Sequence, residues 1–225
     1  MSAPSVTAPG DLPAGADPTV HDLARWIGTW CFRPVFRVHV HHHERVPATG
    51  PVVLVANHSA LVDGPLLFGL LGRRSVFLVK QEMFTGVLGT GLRRIGQLAV
   101  RRGEPDRAAL TAALGVLRGG GLVGVFPEGT RGNGDVAAAE KGAAWLARTS
   151  GAQVLPVVCR GTRRPEGSGR RWRPRVDVLV GEPLPTPTGR GRAELAAATE
   201  TLRGALAALV ADLDAMRAED MRSSA

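Results

Sequence analysis

Tyrosine is absent from this chain, aromatic residues make up only 4% of it, and lysine occurs only as Lys80 and Lys141. Nucleic-acid-binding modules interleave aromatic rings with their cations, so the shortage of rings argues against that class, and no nucleic-acid partner is expected. Cysteine is scarce too. Cys31 and Cys159 have neither the spacing of a disulfide framework nor that of a metal site, and both read as small buried hydrophobes in a reducing compartment. No apolar run approaches the roughly 20 residues of a membrane-spanning helix. Residues 1–18 lack the basic start and apolar middle of a secretion signal, and their Ala, Pro, Gly and Ser content predicts a disordered tail. The Gly-x4-Gly-Lys spacing of a phosphate-binding P-loop is missing as well.

What is present is a folded composition, 44% hydrophobic, with a formal charge of +8 carried almost wholly by arginine. That balance favours an anionic partner such as a membrane surface or a phosphorylated substrate, although arginine, alanine and glycine richness also follows from genome base composition. With 225 residues, the chain can build one substantial core. The expected organisation is a single domain over residues 19–225, with a helical element at 19–37 and a closing helix at 192–217.

Short apolar runs alternate with helical patterns along the chain. Strands are predicted at Val52–Val55, Ser75–Val79, Gln97–Val100, Leu122–Phe126, Val154–Val158 and Val176–Val180. Helices are predicted at Pro65–Leu71, from Lys80 unevenly to Ile95, from Glu104 to the Gly119-Gly120-Gly121 stop, and at Ala143–Thr149. Such alternation implies an α/β fold with a mixed, largely parallel sheet flanked by helices. Before it, Leu23, Trp26, Ile27 and Trp30 crowd beside Arg25 and Arg33. Trp and Phe beside Arg suit an amphipathic helix that docks on a membrane interface; a helix packed on the domain's own core is the alternative. His39, His41, His42 and His43 invite a zinc reading, but successive strand residues point to opposite faces, so a solvated strand end is expected.

The centre of the pattern is Asn57-His58-Ser59-Ala60-Leu61-Val62-Asp63. It follows a buried strand, and open α/β sheets bind their ligands at the carboxyl ends of strands. Five residues separate His58 from Asp63, a spacing that turns side chains apart in a helix. The two meet only if His58 stands on the turn and Asp63 reaches back from the next helix. The carboxylate would then fix the imidazole tautomer and leave the other nitrogen free to take a proton. A turn whose side chains only cap a helix is the plainer alternative. Further on, Pro127-Glu128-Gly129-Thr130-Arg131 is a glycine-containing turn at a strand end. Its amides and Arg131 suit an oxyanion or phosphate, unless Glu128 and Arg131 merely shape the loop. The basic stretch Gly167–Arg175, with Trp172, suits anionic headgroups or a nucleotide phosphate, with simple solvation as the default.

Four blocks occur in order: Asn57-His58-x4-Asp63, Gly96-x5-Arg102, Phe126-Pro127-Glu128-Gly129-Thr130-Arg131 and Val154-Leu155-Pro156-Val157. Together they resemble the signature of the glycerolipid acyltransferases, the 1-acyl-sn-glycerol-3-phosphate (lysophosphatidic acid) acyltransferase family, over roughly residues 34–185. The resemblance implies a mixed α/β domain with an N-terminal membrane-docking helical element, peripheral on the cytoplasmic face. It implies His58 as general base and Asp63 as its orienting partner. Glu128, Gly129, Thr130 and Arg131 would form the substrate and phosphate site, with Arg102 and Lys80 beside them and Pro156 shaping the pocket. The partners implied are anionic lipid, a lysophospholipid acceptor, and acyl-CoA or acyl-carrier protein as co-substrate; no resident cofactor or metal is expected. Arg101 stands where the family usually has an acidic residue, and Gly132 where it often has Ser, which leaves acceptor identity open. A hydrolase using Ser59 lacks the Gly-x-Ser-x-Gly elbow. The same chemistry on another lysophospholipid, glycolipid or alcohol, and a non-catalytic basic binding module, remain as rivals.

Overall fold

A computed structural model describes residues 11–101, 106–126, 141–163, 172–189 and 191–223. The alternating apolar runs pair into one seven-stranded sheet of order β1-β7-β6-β2-β5-β3-β4, built from β1 (Arg37–His41), β2 (Val52–Ala56), β3 (Ser75–Lys80), β4 (Leu98–Val100), β5 (Leu122–Val125), β6 (Gln153–Arg160) and β7 (Arg175–Val180). All neighbours run parallel except β6 and β7, which pair antiparallel with Cys159 opposite Val178. The carboxyl ends of β2 to β6 therefore share one edge of the sheet with the amino ends of β1 and β7.

β2 sits at the centre and is buried along its whole length. Its side chains alternate as a strand requires. Val53 and Val55 face a core shared with α4 (Arg107–Arg118), α5 (Lys141–Ser150) and α6 (Arg192–Ser223). Val52, Leu54 and Ala56 face a second core closed by α2 (Asp63–Leu70), with Ala24 of α1 (Pro18–Cys31) packed against it. Helices thus cover both faces, as a mostly parallel sheet needs. Asp17 caps α1 through Thr19 and Val20, and Asp106 caps α4 through Ala109.

α1 is apolar on two opposite sides. At 100° per residue, His21, Ala24, Gly28 and Phe32 make one stripe, and this stripe packs inward. Leu23, Trp26, Ile27 and Trp30 make the opposite stripe and are exposed. The helix docks on the domain's own core, the second of the two alternatives read from the sequence, and it also presents apolar side chains outward. The inward contact depends on a pair of glycines. A Cβ on Gly69 would lie 2.5 Å from the carbonyl carbon of Gly28, and Thr29 Oγ1 donates to Gly69 O at 2.8 Å.

Several expectations are corrected. Residues 11–17, assigned by composition to the tail, are tied to the domain: Arg74 pairs with Asp11, Leu12 packs on the core, and Asp17 N–H donates to Arg94 O. The helix expected from Lys80 begins later, because Gln81–Met83 tighten into a 3-10 turn closed by Phe84 N–H on Gln81 O. The chain then turns at Gly86 (φ 55°) into α3 (Gly86–Arg94). Cys31 is exposed at the end of α1, whereas Cys159 is buried. α6 continues past residue 217 to Ser223, held by Arg160–Asp214, Arg175–Asp220 and Arg217–Asp177 ion pairs. The histidines separate, as strand geometry predicts: His41 meets Asp177, His42 meets Glu44, and His43 meets the Leu70 carbonyl. No helix among the described residues is long and apolar enough to cross a membrane.

Candidate active site

The chain leaves β2 at the sheet edge through Asn57, whose amide takes the place of a missing backbone partner. Asn57 Nδ2 donates to Cys159 O at 3.0 Å, and Cys159 N–H donates to Asn57 Oδ1 at 2.7 Å. This pairing extends the β2–β6 ladder by one residue while the main chain turns away. His58 stands on that turn, 8% exposed, and Asp63 opens α2, fully buried.

One oxygen of Asp63 organises the turn. Oδ2 accepts the Ser59 and Ala60 amides, each at 2.7 Å, and lies 3.4 Å from His58 Nδ1. The two amides hold that oxygen in place at the amino end of α2. Nδ1 stands at ion-pair distance from that oxygen without a hydrogen bond to it, which leaves Nε2 as the imidazole nitrogen farther from the carboxylate. The five-residue spacing is bridged by the turn rather than along a helix, as the sequence required. His58 and Asp63 are thus together. Ser59 is engaged differently: its amide serves Asp63, and its hydroxyl lies 3.4 Å from Asn57 Nδ2.

Phe126, at the end of β5, stacks on the His58 ring with centroids 4.3 Å apart and planes at 29°. Phe77 of β3 stacks on Phe126 in turn, at 5.9 Å and 23°. Phe77 can lie flat only because β5 carries Gly124, where a Cβ would come within 2.3 Å of the ring. From His58 a cavity of about 350 Å³ extends between α2, β3 and α3. Its walls include Phe68, Phe77, Met83, Leu88, Leu92 and Ile95, and its polar or charged members are His58, Lys80 and Gln97. Lys80 thus lines the same cavity as His58. Gln97 is buried, with Oε1 accepting from Phe77 N at 2.9 Å and Nε2 donating to Ile95 O at 3.3 Å. Behind this wall His21 Nδ1–H donates to Ile95 O at 2.6 Å, and burial lowers the His21 pKa, which keeps the ring neutral. Burial likewise pushes the Cys159 thiol well up, so it is no nucleophile.

Of the other residues singled out, Arg102, Glu128, Gly129, Thr130, Arg131 and Gly132 lie outside the described residues. Arg101 is exposed at the end of β4, its amide donating to Asp106. Pro156 is buried in β6 opposite Val55. Sequence reasoning missed the aromatic wall and Gln97. Only a buried-strand pattern interrupted by Gln97 and a glycine inside Leu122–Val125 pointed to them.

A largely apolar cavity thus ends at a buried imidazole with a carboxylate beside it. The Acyltransferase family matches residues 37–160, and the chain belongs to this family. It is 30% identical over 151 residues to the 1-acyl-sn-glycerol-3-phosphate acyltransferase of Bacillus subtilis, covering 65% of this chain and 73% of that protein. It is 28% identical over 172 residues to the chloroplastic 1-acyl-sn-glycerol-3-phosphate acyltransferase LPAT1 of Arabidopsis thaliana, covering 73% of this chain and 48% of that one. Its structure is similar to the crystal structure of the 1-acyl-sn-glycerophosphate (LPA) acyltransferase PlsC from Thermotoga maritima, with a TM-score of 0.66, 27% identity, and coverage of 85% and 80% of the two chains.

Proposed function

We propose that this acyltransferase moves a fatty acyl group from acyl-CoA or acyl-carrier protein to the free hydroxyl of 1-acyl-sn-glycerol-3-phosphate, giving phosphatidic acid. The observation that carries the reading is the Asp63–His58 pair set at 3.4 Å against the end of an apolar cavity. The acceptor hydroxyl loses its proton to His58 Nε2 as its oxygen attacks the thioester carbonyl. The tetrahedral intermediate then collapses, the carbon–sulfur bond breaks, and the leaving thiolate takes the proton from the imidazolium. Asp63 stabilises that imidazolium and holds Nδ1–H, and general base catalysis of this kind contributes about 10²–10⁴ in rate. No protein nucleophile is needed, because the acceptor alcohol attacks directly. Phe126 limits rotation of the ring, and the cavity accommodates the acyl chain of the donor. Arg102, Arg131 and residues 128–130 serve the acceptor phosphate, since arginine binds phosphate bidentately; Lys80 adds a charge at the cavity.

The enzyme works as a peripheral, monotopic protein on the cytoplasmic face of the membrane. The exposed stripe of α1 and the surplus of arginine support this placement. The test is to incubate purified protein with a panel of lysolipids and alcohols against acyl-CoA and acyl-carrier-protein donors, and to identify products by mass spectrometry. Phosphatidic acid from lysophosphatidic acid is the expected product; turnover of another acceptor alone would reassign the substrate. Near-normal turnover by a folded His58→Ala protein would overturn the mechanism.

A further inference from the structure

The sheet edge that carries His58 also gathers an aromatic and basic surface that catalysis does not use. Arg37 opens β1 and Arg175 opens β7, and these strands start at the edge where β2 ends. The segment just before β7 is fastened to the end of α1: Arg173 Nη2 donates to Arg33 O at 2.8 Å, and Arg37 N–H donates to Pro174 O at 3.0 Å. Arg33 in turn lies over the Trp30 ring at 4.8 Å. The end of α1, with Trp30, Arg33 and Val35, and the segment with Trp172 and Arg173 therefore meet at one junction, though they are distant in sequence.

Its composition is unusual for a surface that meets only water. Trp172 is 89% exposed, and Trp30 and Val35 are more than half exposed. Arg173 holds a left-handed backbone (φ 47°), a conformation that costs a non-glycine residue free energy. It sets the segment that bears Trp172. Arg33, Arg37 and Arg173 have no carboxylate partner among the described residues. On the other side of His58 along the same edge, Leu61, Val87 and Leu88 are exposed, at 54%, 92% and 55%. Leu61 and Leu88 also line the mouth of the cavity.

We infer that Trp172, with Trp30 and the arginines around it, is a second anchor for an anionic lipid surface. This anchor of Trp172, Trp30, Arg33, Arg37 and Arg173 lays the carboxyl edge of the sheet against the bilayer, with the cavity mouth between it and the Leu61–Leu88 side. The inference rests on the membrane reading proposed above and adds to it the orientation and the anchoring residues outside α1. Tryptophan and arginine suit the headgroup layer, where a ring's apolar body and polar tip are both satisfied. Charge complementarity selects anionic lipid over neutral lipid.

The experiment is co-sedimentation of the full chain with vesicles of phosphatidylcholine, with and without phosphatidylglycerol. Trp172→Ser should weaken binding to anionic vesicles about tenfold, since a solvent-exposed ring has no fold to disturb and only membrane burial to lose. Arg37→Gln should weaken binding about fivefold on anionic vesicles and leave neutral vesicles unchanged. In a Trp26→Phe, Trp30→Phe, Trp145→Phe protein, Trp172 emission should shift to the blue on vesicles and be quenched by brominated lipid. Wild-type binding by Trp172→Ser together with unshifted emission would overturn the inference. So would unchanged vesicle binding combined with weakened binding of acyl-carrier protein, which would make the patch a protein-docking surface. Wild-type turnover of detergent-dispersed substrate is scored separately, so a failure of the acyltransferase reading is distinguishable from a failure of the anchor.

Discussion

The side chain of Asn57 and the backbone of Cys159 are paired in both directions, donor to acceptor and acceptor to donor, with both residues fully buried. Everything at the site hangs from this junction, because the next residue is His58. Asn57→Ala would leave a buried N–H and a buried C=O without partners. The expected cost is about 2–4 kcal/mol, which for a chain of this size lowers Tm by roughly 5–15 °C. Differential scanning calorimetry checks this. Asn57→Asp should be at least as destabilising as Asn57→Ala, because it buries a charge and sets an acceptor oxygen against the Cys159 carbonyl.

Asp63 combines two tasks that substitution can separate. Asparagine at this position keeps a carbonyl oxygen for the Ser59 and Ala60 amides but has no charge to hold an imidazolium. Asp63→Asn should therefore retain a Tm near wild type while kcat falls by about 10²–10⁴. Asp63→Ala should lose both turnover and stability, because two buried amides lose their acceptor. Steady-state kinetics beside thermal melts distinguish the outcomes.

The cavity depends on a missing side chain. Gly124→Ala would bring a methyl group against the Phe77 ring, which must then tilt into the cavity. On a ladder of acyl donors, kcat/KM for the longest chains accepted should fall about tenfold while shorter ones are spared, since a methylene or two of lost fit is worth that much. A uniform loss across the ladder would mean that this wall does not touch the chain.

His21 predicts a pH dependence of stability. Its folded pKa lies below the ordinary value near 6.5, chiefly because burial disfavours the charged ring. The unfolded chain then binds a proton that the folded one resists, so stability is full above about pH 6.5 and declines as pH falls below it toward the folded pKa. Urea midpoints between about pH 7.5 and pH 5.5 should drop for the wild type, and His21→Asn should flatten that part of the slope.

The strands, the alternation with helices and the turn bearing His58 were legible because each is a local pattern: an apolar run, a helical stripe, or a polar break at a strand end. The first turn after β3 was not, since a 3-10 segment and a helix start look alike until Gly86 sets its φ. Cys31 was misread for a related reason. Apolar neighbours suggest burial, yet α1 carries apolar residues on both sides, so composition could not say which one faces inward. Phe77, Phe126 and Gln97 come together from three strands or strand ends, and only pairing brings them to one wall. His58 and Asp63 lie 3.4 Å apart across the turn, one of the two arrangements their spacing left open; the double amide bond to Asp63 Oδ2 had no signal in residue order at all.

At Gly28 and Gly69, α1 and α2 touch backbone to backbone, with no side chains between them to yield. Asp63 is the first residue of α2. The closeness of this glycine contact therefore fixes how near the helix that carries the carboxylate lies to α1, and any side chain larger than hydrogen at either position would move the two apart.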